Sequence, residues 1–162
     1  LPPFEGMDTQ LCMGASIGMG LGLRHLLPPE EAQRVVSVIG DSTFMHSGLT
    51  GLAEMVYNPP PTGHVLIILD NGTTAMTGMQ EHPGTGRTLD HKPTGKVVFE
   101  DVAAAMGVHD VRIVDSPVAF KSALADCLQR KDLSVIIVRR VCFLAEAKIE
   151  AYERAAELCH AE

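Results

Sequence analysis

The sequence predicts an α/β fold, a three-layer α/β/α sandwich around a mostly parallel sheet. Three observations lead there. Two short runs rich in β-branched residues, Val35-Val36-Ser37-Val38-Ile39 and Val65-Leu66-Ile67-Ile68-Leu69, lack polar alternation and suit strands covered on both faces. Between them, residues 47–57 place Leu49, Leu52, Ala53, Val56 and Tyr57 at helical spacing, which makes a right-handed βαβ unit with parallel strands. Strand and helix patterns then go on alternating to residue 138.

Taken in order, residues 1–9 read as an irregular entry. Residues 12–27 are rich in Gly and Met and read as a helix packed so closely that only small residues fit. The run Gly18-x-Gly20-x-Gly22 lacks the preceding strand and third-glycine spacing of a dinucleotide loop. Pro28-Pro29 stops this helix, and Asn58-Pro59-Pro60-Pro61-Thr62-Gly63 is a stiff loop before the second strand. Residues 72–96 show no periodicity and hold Gly72, Gly78, Gly84, Gly86 and Gly95. A loop this long is usually functional or mobile, and it reads as a lid. Residues 99–106 suggest a helix, 111–114 a strand, 118–128 a helix opened by Ser116-Pro117, and 133–138 another buried strand. The last helix, 144–159, puts Ala145, Ile149, Tyr152, Ala156 and Cys159 on one face, to pack on its own sheet or on a further domain.

One domain spanning 1–162 is the expectation at this length. The hydrophobic fraction of 46% fits a globular protein, and the net charge of −7 without a basic run argues against nucleic acid and anionic membranes. Cys12, Cys127, Cys142 and Cys159 have no metal-ligand spacing, so zinc and iron–sulfur binding are not expected; buried thiols in a reducing cytoplasm are. No apolar stretch is long enough to span a membrane and no signal peptide is evident. The chain opens on Leu1-Pro2-Pro3, as a piece of a longer polypeptide would.

The chemistry gathers where the first two strands end, in Gly40-Asp41-Ser42 and Asp70-Asn71-Gly72-Thr73. Ligands of open parallel sheets bind beyond the carboxyl ends of the strands. Asp41 offers a carboxylate, Asn71 an amide oxygen and the Gly72-Thr73 turn a carbonyl. Mg2+ takes oxygen donors and usually only one or two protein carboxylates, leaving places for phosphate and water. Gly40 permits close backbone approach, and the N–H groups of Ser42 and Thr43 open a helix toward an anion. The pattern suits a magnesium diphosphate. Asp70 reads as a cap of the turn.

Gly40-Asp41-Ser42, then residues 43–69, then Asp70-Asn71 resembles the thiamine-diphosphate signature. Together with CMGASIG at 12–18, GDSTFMHSG at 40–48 and DNGTTAMTGMQEHPGTG at 70–86, it resembles the cofactor domain of the indolepyruvate ferredoxin oxidoreductases over residues 7–142. The resemblance implies a thiamin-diphosphate-binding fold in which Asp41 and Asn71 ligate Mg2+ through side chains and Thr73 through its carbonyl. It also implies that Gly40, Ser42 and Thr43 line the diphosphate, that Met13 and Gly14 touch the thiazolium side, and that Met76 and Thr77 lie nearest the ring end. The implied activity is oxidative decarboxylation of aryl pyruvates to acyl-CoA. Thiamine diphosphate carries the reaction; iron–sulfur clusters and coenzyme A enter only in the full complex. The implied partners are a pyrimidine-binding domain of the same enzyme, a small (beta) subunit, ferredoxin and the 2-oxoacid. That domain's activating glutamate and the iron–sulfur cysteines have no match here, so the chain alone is expected to bind but not turn over.

His46, just inside the helix after Asp41, could face substrate or shuttle a proton, or make an ordinary hydrogen bond. His82 could meet a substrate carboxylate, with a solvated loop histidine the default. His25, His64, His91, His109 and His160 have no constellation around them. The chain has no Ser/His/Asp elbow and no GxxxxGK[ST] loop, so the chemistry falls to a cofactor. The alternatives are a non-oxidative thiamine-dependent 2-oxoacid decarboxylase subunit, a non-catalytic diphosphate-binding module and a dinucleotide-binding oxidoreductase.

Overall fold

A computed structural model describes residues 6–160, with side chains as far as Arg154. The first helix is α1 (Ser16–Leu26), so Cys12 to Gly14 precede it rather than belong to it. Of the three glycines of the Gly18-x-Gly20-x-Gly22 run, only Gly20 is closely packed: a Cβ there would overlap Ser37 Oγ and lie 2.9 Å from His64 Cε1. Gly18 and Gly22 face outward with nothing within 4 Å, which corrects the tight-packing expectation for two of the three glycines. Leu27 turns extended and Pro29 opens the short α2 (Pro29–Ala32), because proline suits a first helical position as well as it ends a preceding helix.

β1 (Val36–Gly40) runs without a loop into α3 (Asp41–Thr43), one π turn (Phe44–Gly48) and α4 (Leu49–Tyr57). The helical stretch therefore begins six positions before the predicted 47. The π turn inserts extra backbone, so Phe44 falls out of phase with the 3.6-residue pattern of Leu49 to Tyr57. After β2 (His64–Asp70) come α5 (Phe99–Ala105), β3 (Asp110–Val114), α6 (Pro117–Gln129), β4 (Leu133–Arg139) and α7 (Glu146–His160). Ser116 caps α6, its Oγ accepting from Ala119 N.

The four strands are all parallel in the order β1-β2-β4-β3. One core, with Ile17, Leu52, Phe44, Phe99, Leu66 and Ile137, lies between the sheet and α1, α4 and α5. The other, with Val65, Ile67, Val114, Ala123, Cys127 and Ile136, lies under α6. The three-layer α/β/α prediction is borne out. Coverage of both faces is not complete, because α6 packs on β3 and β4 and leaves Val38 (40% exposed) and Leu69 (44%) bare.

Arg24 ties α1 to the entry of the sheet. Its guanidinium donates to the carbonyls of Val35 (2.6 Å), Thr62 (2.9 Å) and Gly63 (2.6 Å), and burial pushes its pKa down to about 10. Beneath it His64 Nε2 lies 2.9 Å from Ser37 Oγ. The cysteines depart from expectation: Cys127 is buried, but Cys12 is exposed and Cys142 half-buried. Ala145, just before α7, and Ile149 within it are buried, and α7 meets the loop that follows β2, with Ile149 near Gly72 and Tyr152 on His91; the side chains of Ala156 and Cys159 are outside the described residues. Among the described residues no helix is long and apolar enough to cross a membrane.

Candidate functional site

β1 and β2 are neighbours with Gly40 opposite Leu69, so Asp41 and Asn71 follow on adjacent strands. Asp41 is only 2% exposed, yet both carboxylate oxygens are engaged. Oδ1 accepts from Ser42 N (2.8 Å); Oδ2 accepts from Asn71 N (3.1 Å) and Gly72 N (2.9 Å). Gly72 has φ +74°, a conformation glycine adopts without strain, and this turns its N–H toward Asp41. Asn71 Oδ1 accepts from Thr73 N (3.1 Å) in an Asx turn, and Thr74 Oγ1 donates to Ser42 Oγ (2.8 Å). The exit of β4 fixes the loop from behind: Arg140 N donates to Asp70 O (2.9 Å) and Cys142 N to Asn71 O (3.0 Å). The structure thus gathers Asp41, Ser42, Asn71 and Thr73 at one point.

Asp70 does not cap the turn. Its carboxylate pairs with Arg139 Nε at 2.7 Å, and Arg139 also holds Glu100 at 2.7 Å. The register across β2 and β4 sets Asp70 directly opposite Arg139, a pairing invisible before the strand order is known. The Arg139 hydrogen bond is the main reason that the Glu100 carboxyl lies below its usual range.

The loop 72–96 is more built than its lack of periodicity suggests. Thr74 bridges to Gln80 and Arg87 to Pro93, and a 3-10 turn (Ala75–Thr77) forms its tip. Its middle turns inward. His82 is buried, not solvated: its Nε2 lies 3.3 Å from Asp41 Oδ2, and its ring is nearly parallel to that of Phe99, 14° between planes. Gly84 N donates to His82 Nδ1 (3.2 Å), which puts the ring proton on Nε2. Beside it Glu81 accepts from Arg87 Nε and His91 Nδ1, both at 3.0 Å. Burial raises the Glu81 pKa, but the hydrogen bonds from Arg87 and His91, with the nearby Arg87 charge, help to outweigh it and hold the carboxyl low. His91, which the sequence left without partners, stacks on Tyr152 of α7 at 4.3 Å, and Arg87 lies over the same ring. The readable signal was the Pro83-Gly84 pair after His82, which makes a turn able to aim that ring inward.

The other predicted residues sit around this point with less contact. Gly14 comes against the helix that follows β1: a Cβ on it would overlap Ser47 Oγ and lie 3.8 Å from Thr43 Cγ2. Met13, His46, Met76 and Thr77 are exposed, His46 on the π turn and Met76 and Thr77 on the loop tip. None of these four hydrogen-bonds to the Asp41 cluster among the described residues.

The donors suit a hard cation with a diphosphate. One carboxylate is joined by a neutral amide oxygen and loop carbonyls, and a Cβ at Gly40 would meet nothing within 4 Å, so the strand end is open for a ligand. Among the described residues no group of three His, Cys, Asp or Glu gathers for another kind of metal site.

Comparison with known proteins agrees. Residues 4–138 match the family described as thiamine pyrophosphate enzyme, C-terminal TPP binding domain. The chain is 41% identical over 157 residues to indolepyruvate oxidoreductase subunit IorA of Thermococcus kodakarensis, covering 89% of this chain and 24% of that one. It is 38% identical over 160 residues to the protein of that name from Archaeoglobus fulgidus, covering 93% and 25%. It therefore spans about a quarter of the length of the curated relatives it matches. A solved structure from Mycobacterium smegmatis, described as that of a thiamin diphosphate-dependent enzyme, superposes with a TM-score of 0.54 at 22% identity, over 81% of this chain and 22% of that one; this likeness concerns the fold. A parallel sheet whose adjacent strand ends present Asp41 and Asn71, and a match over most of the chain, make it a member of the thiamine pyrophosphate enzyme C-terminal TPP-binding domain family.

Proposed function

We propose that the chain holds thiamine diphosphate through Mg2+ as the cofactor-binding domain, residues 1–162, of an enzyme that oxidatively decarboxylates aryl pyruvates. Asp41 and Asn71 hold the ion through their side chains and Thr73 through its carbonyl. Gly40, Ser42 and Thr43 face the diphosphate, Met13 and Gly14 the thiazolium side, and Met76 and Thr77 the ring end; His46 faces the substrate. The observation that carries this reading is Asp41, a carboxylate 2% exposed beside a histidine whose Nδ1 already accepts from Gly84 N, and with no lysine or arginine paired to it among the described residues. A buried anion calls for a cation, and the donors beside it are neutral oxygens.

When bound, the coenzyme supplies a stabilised carbanion able to cleave the bond between a ketone and its carboxylate. The chain's own contribution is to bind and orient. The Asn71–Thr74 turn fixes the oxygens against Asp41, and the inward part of the 72–96 loop shields them from water. The names of the relatives, indolepyruvate oxidoreductase subunits, support indolepyruvate as substrate. Acyl-CoA as product, ferredoxin as acceptor, and iron–sulfur clusters, a small subunit and a pyrimidine-binding domain elsewhere in the complex belong to the same reading.

Calorimetric titration with thiamine diphosphate, with and without Mg2+, tests the site. Binding should require Mg2+ and weaken at least about 100-fold in Asp41→Ala, since loss of even an outer-sphere partner costs about 10–100-fold. Equal binding by the variant refutes the assignment. Ferredoxin or dye reduction by the assembled complex tests the reaction; decarboxylation without reduction would refute the oxidative reading.

A further inference from the structure

We infer that His82 is a positioning residue for the metal ion: its Nε2–H fixes the Asp41 carboxylate in the orientation that binds the cation. The inference rests on the magnesium–diphosphate reading above and extends it to a residue which that reading leaves without a role.

The carbonyl, the Nδ1 atom and one ring face of His82 are each held. Its carbonyl accepts from Thr85 N (2.9 Å) and Thr85 Oγ1 (3.0 Å), and its Nδ1 accepts from Gly84 N. One ring face lies on Phe99, itself 2% exposed. Gly84 makes this possible, because a Cβ there would overlap Phe99 Cζ and lie 3.0 Å from His82 Cε1. The neighbouring residue Glu81 is fastened by Arg87 and His91, and Pro83 O accepts from Val97 N (2.9 Å). The ring has no freedom to swing.

Its remaining polar atom, Nε2, is buried without a well-aligned hydrogen bond, although Asp41 Oδ2 is 3.3 Å away. A buried donor in that condition calls for an explanation. The same Oδ2 takes Asn71 N and Gly72 N from the strand-end loop, so His82 closes the remaining side and stops the carboxylate from rotating. Carboxylates that bind metals are generally held in this way by a further hydrogen-bond donor. The burial of the ring behind Asp41 also removes it from reach of a substrate, which disposes of the alternative that it meets a substrate carboxylate.

The test compares His82→Gln, whose amide N–H can reach where Nε2–H points, with His82→Phe, which keeps the stack on Phe99 and has no donor. Both lose the acceptor for Gly84 N, so that loss cancels. Electron paramagnetic resonance of Mn2+, titrated into the full chain at saturating thiamine diphosphate, reads affinity without any turnover. His82→Phe should bind Mn2+ about 10–100-fold more weakly, and His82→Gln should recover most of that loss, while metal-free melting followed by circular dichroism stays alike in the two. Wild-type affinity in His82→Phe overturns the inference, as does an equal loss in both variants. His82→Leu, with the same expectations, replaces the phenyl variant if that one does not fold. Failure of the wild type to bind Mn2+ would instead overturn the underlying magnesium–diphosphate reading, and this inference with it.

Discussion

Acid should destabilise the fold through His64. Its side chain is 0% exposed at the start of β2, with Nε2 2.9 Å from Ser37 Oγ. The Ser37 hydroxyl spends its proton on Ser16 O (2.7 Å), so it accepts from the imidazole, and Nδ1 is left without a partner. Burial first, and the nearby Arg24 charge second, push the pKa from 6.5 to about 3. Between those two values the unfolded chain carries a proton that the folded chain does not, so stability falls as pH falls. The slope reaches about 1.4 kcal/mol per pH unit, and the loss across the window is about 4–5 kcal/mol. Above the unfolded value the contribution is flat. His64→Gln keeps a donor toward Ser37 and removes the titration. Urea unfolding of both proteins in steps from neutral pH to about pH 4 isolates the effect, since Glu81, Glu100 and Asp110 titrate alike in each. The wild type should lose stability faster than the variant by about 1.4 kcal/mol per unit below pH 6. Parallel curves would refute the reasoning.

Two further outcomes follow from the packing around the site. Gly84→Ala forces a Cβ to 2.7 Å from Phe99 Cε1 and should cost about 1–3 kcal/mol, whereas Gly95→Ala, with nothing within 4 Å, should cost far less; equal melting points would contradict the close approach. Arg139→Met leaves Asp70, 8% exposed, without its cation. It should lower stability by about 1–3 kcal/mol at neutral pH, a figure reduced for the partial exposure of Arg139. Because the Glu100 carboxyl is held low in the fold, that stabilisation is present above the unfolded carboxyl pKa and is lost as pH falls, so the gap to wild type in urea should narrow below about pH 4.

Much of the fold was written locally. β-branched runs gave β1, β2 and β4, and Ser116-Pro117 gave the start of α6, because these depend on neighbours in sequence. The same run could not say that Val38 lies bare, since that depends on where α6 lands. The start of the helix after β1 was hidden by the π turn at Phe44–Gly48, which breaks the period between Asp41 and the regular pattern of Leu49 to Tyr57. Asp41 and Asn71 were legible because each stands at a strand end and the two strands are consecutive. His82, Arg139 and His91 were not, because their roles come from Phe99, Asp70 and Tyr152, which only the folded topology brings near. The exposed histidine at 46 and the buried one at 82 reverse the emphasis that sequence position alone suggested.

The central claim is that Asp41, Asn71 and Thr73 together hold the cation of a diphosphate. A crystal structure of the protein with thiamine diphosphate and Mn2+, located by its anomalous signal, tests it most directly. The account predicts one strong peak within bonding distance of an Asp41 carboxylate oxygen, Asn71 Oδ1 and the Thr73 carbonyl. A peak bound elsewhere, with Asp41 still held only by its main-chain and His82 donors, would contradict it.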